Sequence, residues 1–174
     1  MMFAMATLAG CSSGDDIAKN EAAAMIGSLS TEVNAGNKDE YDYSALAMEY
    51  LEYIGQNLAN RNVDGSGDDN RHDDATEWIV SELKKAGYSD VQADGGWYEL
   101  EEFSIYLGQH TGSNIILTIP GEDTAHQIIV GAHYDGDGVG DNGSGMALLL
   151  ATAAGLHGVT PHYTLKLIFF DGED

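Results

Sequence analysis

A chain of 174 residues, 43% of them apolar, has room for one domain with a real core and is not disordered in composition. Its 29 Asp and Glu against 7 Lys and Arg leave a net charge of −22, which repels nucleic acid and anionic lipid surfaces alike, so neither is expected as a partner. The single cysteine excludes an internal disulfide, and no apolar run approaches the roughly 20 residues of a membrane-spanning helix.

From Met1 to Ala9 the chain is apolar and uncharged, and Leu8-Ala9-Gly10-Cys11 before Ser12-Ser13-Gly14 resembles a bacterial lipobox. Small residues ahead of the cysteine admit a signal peptidase, and the thiol takes the lipid. The basic flank of such a signal is missing, since the first cation is Lys19. The expectation is a lipoprotein-type signal segment over residues 1–10, lipidation at Cys11, and a mature chain outside the cytoplasm. It would sit at the bacterial cell envelope and touch the membrane only through its anchor; an ordinary buried cysteine is the alternative. Residues 11–40 are rich in Ser, Asp, Glu, Asn and Gly and read as a flexible acidic tether or pro-segment.

Residues 41–174 carry the domain. Leu46, Met48, Leu51, Ile54 and Leu58 fall near helical spacing within residues 44–60, and Trp78, Ile79 and Leu83 repeat it within 77–85, where Gly87 serves as the stop. The Gly- and Asp-rich residues 63–70 between them form a loop. Strands are expected over 97–107, over Asn114 to Ile119 closed by Pro120-Gly121, and over Gln127 to Ala132. An Ala- and Leu-rich helix from Met146 to Leu156 follows a glycine-rich turn. Tyr163 to Phe170 is then mostly apolar, as in a strand covered on both faces. The order predicts a three-layer α/β/α domain with a mixed central sheet and helices on both sides.

Three acidic motifs follow apolar runs or open a helix: His133-Tyr134-Asp135, Asp141-Asn142-Gly143-Ser144-Gly145, and Asp171-Gly172-Glu173-Asp174. Open α/β sheets place ligand sites beyond the carboxyl ends of their strands, where the first and third motifs fall. A neutral imidazole at His133 suits a metal, and Asp135 behind it can accept the other ring N–H and fix the tautomer. Asp141, on a turn at a helix start, has two oxygens with which to bridge a pair of cations. Adjacent Glu173 and Asp174 cannot both face one point in a regular strand, so the loop must turn and give them two jobs. His157 and His162 lie at the opposite end of the sheet, and His72, His110 and His126 stand among loop residues; all five read as solvent-facing.

In order, spacing and helix placement, the three motifs resemble the co-catalytic zinc aminopeptidases of family M28, over about residues 75–174. The resemblance implies two Zn2+ ions: His133 on one, Asp141 bridging both, and Asp174 on the other, in a position often held by Glu. It implies Glu173 as general base and removal of N-terminal residues from a peptide substrate; Asp135, read from its place behind His133, is expected beside Glu173 among the catalytic residues. The family draws a further carboxylate and histidine from beyond residue 174, so the domain is expected to be incomplete at its C-terminus, with weak metal retention and no activity on its own.

Four other readings compete. Residues 135–146 fail as a calcium loop, because Val139 and Met146 occupy ligand positions. A haloacid-dehalogenase-type phosphohydrolase would use Asp135 as nucleophile and Asp137 as acid, but its phosphate clamp would have to be Lys166, inside a strand. Glutaminyl cyclases share the Phe169-Phe170-Asp171-Gly172-Glu173 pattern. A non-catalytic surface lipoprotein would merely solvate its acids. Oligomeric state and side-chain preference are not legible.

Overall fold

The computed structural model describes residues 5–7, 42–65, 69–105 and 110–173. Cys11, Asp174 and the expected tether over residues 11–40 lie outside the described residues. Strand β1 (Met5–Thr7) falls inside the segment expected to be a signal and lies parallel beside β5. The order then runs α1 (Tyr43–Asn57), β2 (Asn60–Arg61), α2 (His72–Lys85), β3 (Trp97–Ile105), β4 (His110–Ile119), β5 (Asp123–His133), β6 (Gly136–Asp137), α3 (Gly143–Leu156) and β7 (Tyr163–Phe170).

The fold is mixed α/β. Its five-stranded sheet has the order β1-β5-β7-β4-β3, with β1, β5 and β7 parallel and β4 and β3 antiparallel to their neighbours. Register explains why the alternating strands bury one face. Ile115 pairs with Phe169 and Phe169 with Ala132; Leu117, Leu167 and Val130 form the next row, and Ile119, Leu165 and Ile128 the third. These rows meet Ile54 and Leu58 at α1, Trp78, Ile79 and Leu83 of α2, and Met146, Leu149 and Leu150 of α3 in one core. Each fully buried Leu or Ile there contributes about 1.5–3 kcal/mol. All three described helices thus share one face, so the expected helical cover is present on that side among the described residues. On the other face Ile116, Ile168 and Phe170 are half-buried.

Local signals set the helix ends. The Asp42 carboxylate caps α1 by accepting from Ala45 N at 2.9 Å. Helix α2 starts at His72, a turn before the residue 77 expected, because Asp73 and Asp74 at its start and Lys84 and Lys85 at its end suit the helix dipole. Gly87 follows with φ +102°, and Tyr88 N donates back to Leu83 O at 3.0 Å, a closure that favours glycine.

Candidate metal centre at the ends of β5 and β7

His133 ends β5 opposite Phe170, the last residue of β7, and Tyr134 N donates to Phe170 O at 2.8 Å, so two parallel strands deliver their following loops side by side. The loop after β5 runs to α3, whose start is built by Asn142-Gly143-Ser144-Gly145. Asn142 Oδ1 accepts from Gly145 N at 3.1 Å as the helix cap. A Cβ on Gly145 would lie 2.5 Å from that oxygen and 2.8 Å from Ala132 Cβ, so only glycine lets α3 begin this close to β5. Asp141 stands immediately before the cap.

The site brings His133, Asp135, Asp141 and Glu173 together. His133 Nε2 is 3.1 Å from Asp141 Oδ1 and 3.9 Å from Glu173 Oε2. On the other side of the ring, Nδ1 faces the main-chain oxygen of Asp135 at 3.2 Å and its carboxylate at 3.5 Å. A carbonyl only accepts, so the neutral ring carries its proton on Nδ1 and turns the Nε2 lone pair toward Asp141. The Asp135 hydrogen bond raises the His133 pKa above its ordinary value; burial opposes this, and the charges of Asp135, Glu173 and Asp141 add to it.

Asp135 is not placed as a strand neighbour of His133, because β5 has already ended. Its carboxylate is fully buried, and Oδ2 accepts from Glu173 N at 2.9 Å. It therefore ties the His133 ring to the backbone that carries Glu173. The Glu173 and Asp141 side chains, 59% and 64% exposed, face the open side.

A second buried network lies behind this one, built on Tyr134 and Asp171 of the same motifs and on His72, which stands in none of them. Asp171, with its side chain fully enclosed, accepts at Oδ2 from Ser113 N at 2.7 Å and from the Tyr134 hydroxyl at 2.9 Å. Its Oδ1 pairs with His72 Nε2 at 2.8 Å. His72 is thus neither in a loop nor solvent-facing: it opens α2, its side chain is 11% exposed, and it stacks on Tyr134. His110 likewise opens β4 and is half-buried. Burial alone favours the neutral His72 ring, but the hydrogen bond and charge of Asp171, joined by Asp73, outweigh it and raise the His72 pKa. Burial, then the Asp171 charge, pushes the Tyr134 phenol far above its usual range, so it stays a neutral donor.

Residues 114–174, from the middle of β4 through the closing motif, match the sequence profile of peptidase family M28. Over these residues, about a third of its length, the chain is similar to peptidase family M28. The matched span contains His133, Asp135, Asp141, Glu173 and Asp174. Vacuolar protein sorting-associated protein 70 of Saccharomyces cerevisiae is 42% identical over 69 residues, which is 35% of this chain and 8% of that protein. Among solved structures, a putative Zn-dependent exopeptidase from Bacteroides vulgatus aligns with TM-score 0.55 at 23% identity, covering 78% of this chain and 49% of that one. An Acidobacteriales bacterium glutaminyl cyclase aligns with TM-score 0.60 at 22% identity, covering 80% and 48%. At these identities the likeness is one of fold, and this chain spans about half the length of the two solved structures.

Zinc is the metal that the likeness to family M28 implies, and the donor atoms bear on it as follows. Among the described residues no group of three or more His, Cys, Asp and Glu is arranged to hold a metal ion. Two donors do fit: a tetrahedral zinc with bonds of about 2.0–2.2 Å sets neighbouring donor atoms about 3.4 Å apart, and His133 Nε2 and Asp141 Oδ1 are 3.1 Å apart. The neutral Nε2 and an exposed carboxylate are also the ligand chemistry zinc takes.

Proposed function

We propose that the protein is a zinc-dependent peptidase of the aminopeptidase type, with a water molecule as the nucleophile and Glu173 as its general base. The observation that carries this reading is that Asp141 Oδ1 and Glu173 Oε2 both stand within 4 Å of His133 Nε2 on the open side, with the buried Asp135 carboxylate behind the ring. His133 and Asp141 would hold zinc, with Asp174 as a further ligand, and bound zinc supplies a Lewis acid for the scissile carbonyl and acidifies water. Glu173 takes the proton from the attacking water and returns it to the departing amine, so a C–O bond forms as the C–N bond breaks. Asp135 acts through His133 and Glu173 as a positioning residue. The buried Asp135 carboxylate also weighs against a phosphohydrolase, whose nucleophile it would have to be. The lipobox-like sequence supports envelope attachment through Cys11.

Zinc titration of the protein and of His133→Ala and Asp141→Asn tests the site, and unchanged affinity in both variants would overturn it. Mass spectrometry of short peptides tests the reaction: stepwise loss of N-terminal residues is expected, abolished by a zinc chelator and reduced about 10²–10⁴-fold by Glu173→Gln. The likeness to a glutaminyl cyclase favours one second reading. A peptide with N-terminal Gln would then lose ammonia without any cleavage of its chain.

A further inference from the structure

The loop that separates His133 from Asp141 is wound around a buried cation. Arg61 comes from the two-residue β2, far from that loop in the sequence, and β2 pairs antiparallel with β6 so that Arg61 stands opposite Gly136. Its side chain is fully buried. Nε donates to Tyr134 O at 2.7 Å, Nη1 to Gly138 O at 2.9 Å and to Leu58 O, and Nη2 to Asp141 O at 3.3 Å. Three of these four carbonyls belong to the loop. One is on the residue after His133, one is at the middle of the loop, and one is on Asp141 itself.

We propose that Arg61 is a positioning residue that sets the separation of His133 and Asp141, by drawing the carbonyls of Tyr134, Gly138 and Asp141 onto one guanidinium. The proposal rests on the zinc-site reading above and names what holds that site in shape before a metal arrives. Only arginine suits this role, because a planar fork of five N–H donors can serve carbonyls from several directions at once, while the three donors of a lysine radiate from one point. The loop cooperates through Gly138, whose φ of +77° is left-handed and turns its carbonyl toward Nη1 while its N–H donates to Ala59 O. The same contacts fix α1 to the loop, since Leu58 O at the end of α1 shares Nη1. A site with both metal-facing residues already in place loses less conformational freedom on binding.

The test combines hydrogen exchange of the metal-free protein with zinc titration, applied to Arg61→Lys and Gly138→Ala. Arg61→Lys keeps the charge but loses the fork. Gly138→Ala keeps the buried cation, and a Cβ there meets no neighbour within 4 Å, so only the strained φ acts on the carbonyl. For Arg61→Lys, exchange is expected to accelerate over residues 134–142 and stay slow in β4 and β7, with zinc affinity falling about 10–100-fold, the range for groups that orient metal ligands. Gly138→Ala should move both readouts the same way by a smaller factor. Faster loop exchange with zinc affinity unchanged would overturn the proposal. So would exchange rising throughout the sheet in Arg61→Lys while Gly138→Ala matches the parent, since Arg61 would then only hold the fold. His133→Ala keeps the two failures apart: if it leaves zinc affinity unaltered, the site reading has failed, and the exchange of the metal-free loop still reports on Arg61.

Discussion

The two ends of the sheet carry the same kind of pair, and only one of them is backed by buried polar groups. At the amino end of β5 and β7, His126 Nδ1 lies 2.7 Å from Asp123 Oδ2 and His162 Nδ1 lies 3.5 Å from Glu122 Oε2. At the carboxyl end, His133 and Asp141 stand 3.1 Å apart. Distance therefore does not separate the ends. Exposure does: the side chains of His126 and His162 are 67% and 59% exposed, and that of His133 is 14%. Behind the first two stands the ring of Tyr163. Behind His133 stand buried Asp135, Tyr134 and Asp171, and the loop is held by buried Arg61. Burying polar groups costs free energy unless each is hydrogen-bonded, so such groups gathered at one end mark where geometry is being enforced.

That contrast is sharpest at Asp171. Asp171→Ala removes the acceptor of Ser113 N, the Tyr134 hydroxyl and His72 Nε2 at once. Breaking a buried pair from one side costs about 3–5 kcal/mol, and urea denaturation should show a loss of that size. Tyr134→Phe is expected to cost less, about 1–3 kcal/mol, because it leaves one buried carboxylate oxygen short of a donor while His72 keeps its partner. If either variant denatures like the parent, the buried network is not what distinguishes this end.

His72 makes the same contrast depend on pH. Its folded-state pKa is raised above the ordinary 6.5, so the protonated ring stabilises the fold. That stabilisation is fully present below about pH 6.5 and is lost as pH rises through the folded-state value. The parent should therefore lose stability relative to His72→Gln as the pH is raised from 6 to about 8, in denaturation midpoints taken at each pH. A difference that grows in the opposite direction would show that the ring is held neutral.

What was legible in the sequence follows from the range of the interactions involved. The apolar runs of β4 and β7 and the apolar stripe of α2 are local signals, and each falls inside an observed element, although β4 begins at His110 and α2 at His72, ahead of the residues expected. The nearness of His133 and Glu173 was legible because strand ends in an α/β sheet define a place, and motifs at those ends share it; Asp141 joins them from the turn that opens α3. Arg61 was not, since its partners are main-chain carbonyls, which no side-chain pattern records. His72 was not, because its acceptor is 99 residues away, and a histidine beside Asp73 and Asp74 has the composition of a solvated helix start. Asp135 was legible as the support of His133, but its second attachment, to Glu173 N, is again to the backbone.

The smallest expected effect belongs to the exposed end, and it is the one that makes the comparison specific. His126 and Asp123 are close enough for a short hydrogen bond, and the Asp123 pKa is lowered first by that bond and then by the one from Ala125 N. Water solvates both partners nearly as well as they solvate each other, and salt screens what remains. His126→Ala should thus leave the urea midpoint unchanged and leave zinc affinity at the parent value, where His133→Ala lowers it. A matching fall in zinc affinity on His126→Ala would mean that exposed pairs on this acidic surface capture zinc as readily as the supported one. The burial behind His133 would then have no bearing on where the metal binds.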